Sequence, residues 1–261
     1  MILAVSQMLA AATAACSPVP GADAVLARAQ TRWLILGEMH GTAEMPRALT
    51  DLACAAAAQR RPVVVAVEQT VDNQPLLDAF LASNGKPAAR AAFLRAPMWH
   101  TKFKDGRSST AMLAMFERLR AMRQAGQIAR VVAFDPVVSS GSADRNARMA
   151  ANLVRVDPGV RGIVLTLVGG LHAQKSMLTF GGQTYPAAAS LLPGDRTVSL
   201  MMIGDAGTAW VCYDTCGAQP IGSARTQTRG IRMQRDAGVP FDGIFDLGET
   251  TTSSPPVVAA D

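Results

Sequence analysis

Acidic residues and histidines follow directly after the long apolar runs of this chain. Glu38 and His40 come after the first run, Glu68 ends the second, Asp135 ends the third and His172 follows the fourth. A histidine beside a carboxylate can act as a general base whose basicity the carboxylate tunes, or it can form part of a metal site. The recurrence of this arrangement at four places predicts one reaction centre.

The elements that position these residues are predicted from the apolar runs themselves. Continuous Val, Ile and Leu residues, separated by helix-like stretches, are typical of strands buried on both faces of a parallel sheet. The predicted strands are 32–38, 62–68, 128–135 and 162–168. Because ligands of such sheets bind beyond the carboxyl ends of the strands, the five ionisable residues should share one cleft.

The order of the predicted elements gives the fold class. Strands alternate with helices up to residue 168, as expected for right-handed crossover connections. Further along, 197–203 and 208–213 are predicted to be paired strands, and 241–247 a final strand. We therefore predict an α/β fold with a mainly parallel central sheet flanked by helices and a carboxyl-terminal antiparallel extension.

The bulk composition predicts one domain. The chain has 261 residues, of which 49% are hydrophobic, and this is ample for a buried core. No linker rich in Pro, Gly or Ser interrupts its middle, so we predict a single domain over 22–250 and a loose tail over 251–261. The formal net charge is +5. The arginines that carry this charge are scattered, which argues against a nucleic-acid partner.

Residues 1–21 are predicted to be a signal or lipoprotein leader followed by a tether. The first sixteen residues carry no charged side chain, and small residues precede Cys16 as they do at a lipoprotein cleavage site. These features favour export to the periplasm or to a membrane, with a lipid anchor on Cys16. Cys54 is predicted to be a small buried hydrophobe. A disulfide between Cys212 and Cys216 would require the chain to turn between them.

The segment 97–107 is aromatic and charged and follows neither helical nor strand periodicity. Long loops of this kind usually shape a pocket or form a lid over one. We therefore expect this loop to cover the predicted cleft and to contact the ligand through Trp99 and His100.

Four stretches of the chain resemble the motifs of a known superfamily. Residues 36–44, Leu-Gly-Glu-Met-His-Gly-Thr-Ala-Glu, are similar to the first motif of the erythromycin esterases, which belong to one superfamily with ChaN-like haem-binding lipoproteins and Tiki-type proteases. Residues 65–68 resemble its second, acidic motif, and residues 169–173 its last His-Ala motif. The stretch 145–152 is similar to a helix that carries Arg-Asp in the esterases, with Asn146 here replacing the acid. By length the chain is nearest to the ChaN-like branch.

The resemblance implies an exported hydrolase that cleaves an ester or amide bond of a small molecule or peptide. In this interpretation His40 takes a proton from water, Glu38 and Glu68 orient the water or help to hold a divalent metal, and Arg145 with His172 stabilises the developing oxyanion. Glu38, His40 and His172 are the candidate metal ligands. The predicted catalytic residues are Glu38, His40, Glu68 and His172, and the predicted substrate-binding residues are Arg145, Asp135, Trp99 and His100.

The same resemblance leaves a binding function open as the alternative. A haem-binding lipoprotein of iron uptake, of the ChaN type, would contact iron through His40, His100 or His172. Haem needs a wide apolar slot, which Trp99 and other residues of its loop could line. The chain has no Cys-x-x-Cys-His sequence, so any haem would be bound without a covalent link.

Overall fold

The structure is a computed structural model that describes residues 16–212, 214–222, 228–233 and 238–257. Its α-helices are Ala22–Leu26 (α1), Glu44–Ala58 (α2), Gln74–Ala82 (α3), Pro87–Phe93 (α4), Thr110–Gln124 (α5) and Ser142–Val154 (α6). Its strands are Trp33–Glu38 (β1), Val63–Thr70 (β2), Arg130–Asp135 (β3), Ile163–Gly169 (β4), Met177–Phe180 (β5), Gln183–Pro186 (β6), Thr197–Asp205 (β7), Gly207–Cys212 (β8), Cys216–Ile221 (β9), Gly230–Met233 (β10) and Gly243–Thr250 (β11). Most of the predicted leader, residues 1–15, lies outside the described residues.

A seven-stranded sheet in the order β10-β11-β7-β1-β4-β2-β3 forms the centre of the described chain. β10 runs antiparallel to β11, and the other neighbouring strands are parallel. The four predicted strands are β1 to β4 of this sheet. The predicted α/β fold, with a mostly parallel sheet, flanking helices and antiparallel strands towards the carboxyl terminus, is confirmed.

The apolar runs are continuous because each central strand contributes to two cores. Leu34 and Leu36 of β1 pack into a core shared with α2 and α5. Trp33 and Ile35, the intervening residues, pack into a second core shared with α6. Successive side chains of a strand point to opposite faces, so a strand with helices on both sides is apolar at every position.

The predicted pairing of 197–203 with 208–213 is wrong. β7 is a central strand that pairs in parallel with β1 on one side and with β11 on the other. β8 instead pairs with β9 in a separate antiparallel hairpin, which we call the β8–β9 hairpin. The apolar residues of β7 are buried in the main sheet, and both of its edges are already hydrogen-bonded there, which leaves no edge free for β8.

Residues 251–257 are docked against the domain, so the prediction of a loose tail is wrong for them. The amide of Ala43 donates to the carbonyl of Thr252 at 2.8 Å, and that of Thr110 donates to the carbonyl of Pro255 at 2.9 Å. The hydroxyl of Ser254 accepts a bond from the amide of Ala111 at 2.9 Å. The first amides of a helix have no partner within it, and this segment supplies acceptors at the starts of α2 and α5. The remaining residues, 258–261, lie outside the described part.

The cysteines form two disulfides, Cys16–Cys54 and Cys212–Cys216. Cys54 is buried as predicted, but it is bonded to Cys16 and is not a free apolar side chain. A lipid anchor on Cys16 would need the same sulfur, so this disulfide and lipidation exclude each other. The Cys212–Cys216 bond closes the turn of the β8–β9 hairpin, where the chain reverses as such a bond requires.

Across the described ranges, no helix combines the length and apolarity that are needed to cross a membrane.

Candidate active site

A cleft of about 580 Å³ opens at the carboxyl edge of the central strands. Glu38 ends β1, Glu68 lies near the end of β2, and His172 follows the end of β4. β4 pairs in parallel with both β1 and β2, so these strand ends meet at one edge. The structure thus brings Glu38, His40, Glu68, Arg145 and His172 to the walls of one cleft.

His40 lies between two buried carboxylates. Its Nδ1 is 2.9 Å from Oε1 of Glu38, and its Nε2 is 3.4 Å from Oε2 of Glu68. Burial alone would lower the pKa of His40, but the two carboxylates outweigh it and raise this pKa to about 10. The two carboxylates therefore favour the imidazolium form of His40, which can donate a proton, whereas the sequence predicted a general base at this position.

Glu68 is the centre of the charged network. Its Oε2 accepts a hydrogen bond from the amide of Gly169 at 2.7 Å. Its Oε1 accepts bonds from Arg145 Nη2 at 2.7 Å and from Arg107 Nη1 at 3.3 Å. Burial favours the neutral acid, yet the charges of His40 and Arg107 hold the pKa of Glu68 well below its ordinary value. Glu68 is therefore a permanent carboxylate that fixes its neighbours in place.

Asp135, at the end of β3, binds Arg145 and does not line the cleft. Its Oδ1 accepts from Arg145 Nε at 2.9 Å and its Oδ2 from Arg145 Nη2 at 2.7 Å. Two parallel bonds of this kind fix the plane of the guanidinium. Burial lowers the pKa of Arg145, but Asp135 and Glu68 raise it overall. The predicted substrate contact by Asp135 is thus replaced by a role in holding Arg145.

Arg107 and Asp105 belong to the site although the sequence did not single them out. Arg107 Nη1 lies 3.3 Å from both Glu68 Oε1 and Asp135 Oδ2. Its Nη2 donates to Asp105 Oδ2 at 2.7 Å. Both residues line the cleft. The available signal was a pair of opposite charges around Gly106, within the loop that was already predicted to border the site.

Two other residues of that loop lie away from the cleft. Trp99 is fully buried and makes edge-to-face contacts with Phe93 and Phe116, with ring centroids 5.3 and 6.1 Å apart. His100 is exposed, and its Nε2 is 2.8 Å from the carbonyl of Leu94. A short 3₁₀ turn over Pro97–Trp99 directs the indole into the core. The expectation that Trp99 and His100 contact a ligand in this cleft is therefore wrong.

His172 is a neutral histidine beside Arg145. Its Nε2 is 3.1 Å from Arg145 Nη1, and its Nδ1 is 2.9 Å from Oδ1 of Asn146. Burial lowers the pKa of His172, and although the charge of Glu68 opposes this, the charges of Arg145 and His40 help to keep the pKa below its ordinary value. The two histidines of the cleft thus differ in charge because one faces carboxylates and the other a guanidinium.

The two histidines of the cleft do not fit the role of ligands to a metal ion or a haem iron. Both ring nitrogens of His40 face carboxylates, and both ring nitrogens of His172 are hydrogen-bonded to Asn146 and Arg145. A metal ligand must offer a free lone pair. Among the described residues, no group of three or more His, Cys, Asp or Glu side chains is arranged to hold a metal.

Two glycines allow the close packing around His40. Gly41 has a φ of 79°, and its carbonyl accepts bonds from the amides of Trp210 and Ser254. A Cβ at Gly41 would overlap the carbonyl oxygen of Trp210, and a Cβ at Gly169 would lie 2.9 Å from His40 Nε2. A side chain at Gly41 would therefore move the loop, and one at Gly169 would press on the imidazole.

Apolar side chains also line the cleft. They are those of Met39, Leu171, Met201, Val211 and Phe241. Val211 belongs to the β8–β9 hairpin, whose Trp210 amide is hydrogen-bonded to the His40 loop. The cleft therefore offers both charged and apolar contacts to a ligand.

Comparison with known proteins identifies the fold. No protein-family model and no curated protein matches the sequence. Among solved structures, a succinoglycan biosynthesis protein matches with a TM-score of 0.59 and 11% identity, over 89% of this chain and 91% of that one. A mutant of the erythromycin esterase EreC in its open conformation matches with a TM-score of 0.58 and 11% identity, over 89% of this chain and 93% of that one.

The haem-binding protein ChaN of Campylobacter jejuni matches less well. Its TM-score is 0.46 at 14% identity, over 69% of this chain and 85% of that one. A likeness at this level carries no argument about the ligand of the present chain, and identities of 11–14% describe shared architecture only. The chain therefore has the fold of the erythromycin esterase EreC and its structural neighbours, as the resemblance of its four motifs predicted.

Proposed function

We propose that this protein is a hydrolase that cleaves an ester or amide bond of a small molecule or peptide in the cleft at the carboxyl edge of the sheet. The observation that carries the proposal is the position of His40 between the carboxylates of Glu38 and Glu68, facing the guanidinium of Arg145 across the same cleft. A proton donor, a carboxylate base and a fixed cation are the groups that acyl hydrolysis requires. The shared fold with an erythromycin esterase supports this proposal.

His40 and Glu38 act as a linked acid and base in this proposal. The contact from His40 Nε2 to Glu68 is 3.4 Å, which is longer than a good hydrogen bond, so the Nε2 proton can pass to a leaving group. Glu38 takes a proton from the water that attacks the carbonyl carbon. As the new C–O bond forms, Nε2 of His40 protonates the leaving group and the bond to that group breaks. Because Nδ1 of His40 keeps its own hydrogen in the 2.9 Å contact with Glu38, Glu38 releases its proton to solvent water and Nε2 takes one up from solvent. Both groups then regain their starting charge.

Arg145 stabilises the oxyanion that forms when water attacks. Its Nε and Nη2 groups are held by Asp135 and Glu68, and one Nη1 hydrogen by His172. The second Nη1 hydrogen has no acceptor among the residues that the structure describes. A guanidinium that is already held in place can stabilise developing charge without reorganising.

We also propose that the protein is exported. The support comes from its two disulfides, because disulfides persist mainly in oxidising compartments outside the cytoplasm. The Cys16–Cys54 bond favours an exported protein without a lipid on Cys16.

The proposed activity can be tested with a panel of chromogenic esters and amides whose acyl groups range from short to long. Glu38→Gln keeps the size of the side chain and its acceptor oxygen but removes the base. We expect it to lower kcat/KM by about a hundred-fold to ten-thousand-fold, the usual contribution of acid–base groups. Arg90→Gln, in an exposed ion pair with Glu117, is the control and should retain full activity.

The alternative function is tested on the same preparation by adding haemin. The hydrolase proposal is contradicted if no ester or amide is cleaved while haemin gives a stoichiometric Soret shift, since that result would indicate a haem-binding protein. The assignment of Glu38 as the base is contradicted if Glu38→Gln hydrolyses the best substrate as fast as the wild type does.

A further inference from the structure

Asn146 is a fully buried amide on α6 whose orientation is set by two backbone groups. Its Oδ1 accepts a hydrogen bond from the amide of Ala188 at 2.8 Å. Its Nδ2 donates to the carbonyl of Ser142 at 2.8 Å. A rotated amide would place its NH₂ group against the Ala188 N–H and its oxygen against the Ser142 carbonyl. These two contacts therefore determine which end of the side chain is the oxygen.

The same oxygen faces His172. Asn146 Oδ1 lies 2.9 Å from His172 Nδ1. Because an amide oxygen can only accept, the hydrogen of this bond must be on Nδ1. Nε2 lies 3.1 Å from the donor Nη1 of Arg145, so it must accept there and carries a lone pair, which makes the ring neutral.

The lone pair on Nε2 has a partner of matching chemistry. It lies 3.1 Å from Arg145 Nη1, which is always a donor. In the other tautomer, an N–H of His172 would face an N–H of Arg145, and the two donors would repel each other. The sequence of bonds from Ala188 through Asn146 and His172 to Arg145 is consistent in one tautomer only.

An acid at position 146 would not serve in this arrangement. A carboxylate beside Nδ1 would favour the imidazolium, which carries a second proton on Nε2. That proton would point at the guanidinium of Arg145. The replacement of the acid by an amide in this chain thus fits the contact between His172 and Arg145.

We propose that Asn146 is a positioning residue that holds His172 in the Nδ1-protonated tautomer and thereby directs the guanidinium of Arg145 into the cleft. The assignment of the tautomer does not depend on which reaction the protein catalyses. The effect of the tautomer on catalysis rests on the proposed function, in which Arg145 stabilises the oxyanion.

The tautomer can be measured on the full chain with nitrogen-15-labelled histidine. The chain has three histidines. The set of signals that is missing from the spectrum of His172→Gln belongs to His172. Two-bond proton–nitrogen spectra at neutral pH distinguish a protonated ring nitrogen from a bare one. We expect His172 to have a protonated Nδ1 and a bare Nε2. A protonated Nε2 in the neutral ring of the wild-type protein would overturn the proposal without any variant.

Two variants test the role of the amide oxygen. Asn146→Leu removes the acceptor, and we expect the preference for the Nδ1 proton to disappear. Asn146→Asp keeps an acceptor beside His172, so Nδ1 of His172 should remain protonated, and the carboxylate should favour a second proton on Nε2. Asn152→Asp is the matched control, because it makes the same change on the same helix. The amide of Asn152 donates to the carbonyl of Phe134 and not to His172, so this variant should leave the His172 signals unchanged. A wild-type pattern in Asn146→Leu would overturn the proposal.

Kinetics separate this inference from the proposed function. With a substrate in hand, Asn146→Leu should lower kcat about a hundred-fold with little change in KM, because a small misplacement of a catalytic group has an effect of this size. Unchanged kcat in this variant would overturn the link from Asn146 to Arg145. If no ester or amide is cleaved but His172 shows the expected tautomer, the hydrolase proposal fails while the assignment of the tautomer stands.

Discussion

His40 balances the charge of the two carboxylates beside it, so its removal should affect stability as well as activity. Glu38 and Glu68 are both buried, and His40 is the hydrogen-bond partner of Glu38. We expect His40→Ala to lower the free energy of unfolding by about 3 to 5 kcal/mol at neutral pH, the usual effect of leaving a buried charge without its partner. Urea denaturation followed by circular dichroism measures this loss.

The matched control also removes the negative charge of Glu38, which His40→Ala leaves without its partner. In the double variant Glu38→Gln/His40→Ala, no carboxylate remains at position 38, so part of the lost stability should return. If the double variant is less stable than His40→Ala, the pair contributes through packing and not through charge.

The same contacts determine how stability depends on pH. The pKa of His40 is about 10 in the folded protein against an ordinary value of 6.5, so the native state binds this proton more tightly than the unfolded state does. Its contribution is complete below pH 6.5 and is lost as the pH rises towards 10. The free energy of unfolding should therefore fall more steeply over this range in the wild type than in His40→Ala. Equal slopes in the two proteins would contradict the protonated state of His40.

At the scale of elements, the short turn that buries Trp99 supports the helical layer and not the ligand. Its indole packs between Phe93 of α4 and Phe116 of α5. Trp99→Ala should lower the free energy of unfolding by about 3 to 5 kcal/mol, as large-to-small changes of aromatic core residues do. The kcat/KM of the folded fraction should stay unchanged.

Phe103 provides the comparison within the same loop. It is 63% exposed, so Phe103→Ala should change the free energy of unfolding by no more than about 0.5 kcal/mol. Thermal and urea denaturation of both variants, with activity measured on the best ester, tests the pair. A Trp99→Ala protein of normal stability and weakened substrate binding would contradict the core assignment.

The sequence predicted the strand ends well because burial on both faces produces a signal that is local in the chain. A run such as Val63–Val67 followed by Glu68 indicates both the strand and the edge to which the acid belongs. The part played by Arg107 was not predictable in this way, because its contacts depend on the path of an aperiodic loop. The burial of Trp99 was missed for the same reason. The pairing of β7 and β8 was mispredicted because the true partners of β7, which are β1 and β11, are distant in sequence, and β8 then pairs with the neighbouring β9.

At the scale of the whole molecule, the two disulfides should differ in effect. Cys16–Cys54 spans 38 residues and Cys212–Cys216 only 4. From the entropy of loop closure, replacing both cysteines with alanine should lower the free energy of unfolding by about 4 kcal/mol in the first case and about 2 kcal/mol in the second. Denaturation of the two double variants measures the difference.

Activity should show the reverse order. Cys212 lines the cleft, whereas Cys16 and Cys54 border a different surface cavity. Cys212→Ala/Cys216→Ala should therefore alter KM, and Cys16→Ala/Cys54→Ala should leave it unchanged. A larger change in KM for the Cys16 and Cys54 variant would contradict the assignment of the cleft.

The docked segment 251–257 has a consequence for the order in which the site is completed during protein synthesis. The amide of Ser254 binds the carbonyl of Gly41, and the amide of Thr252 binds Glu44 Oε2 across 208 positions of the chain. A ribosome therefore releases β1 and the His40 loop 208 positions of the chain before the residues that hold this loop. The loop is made long before it is fixed, so a nascent chain that lacks segment 251–257 carries His40 without a finished cleft.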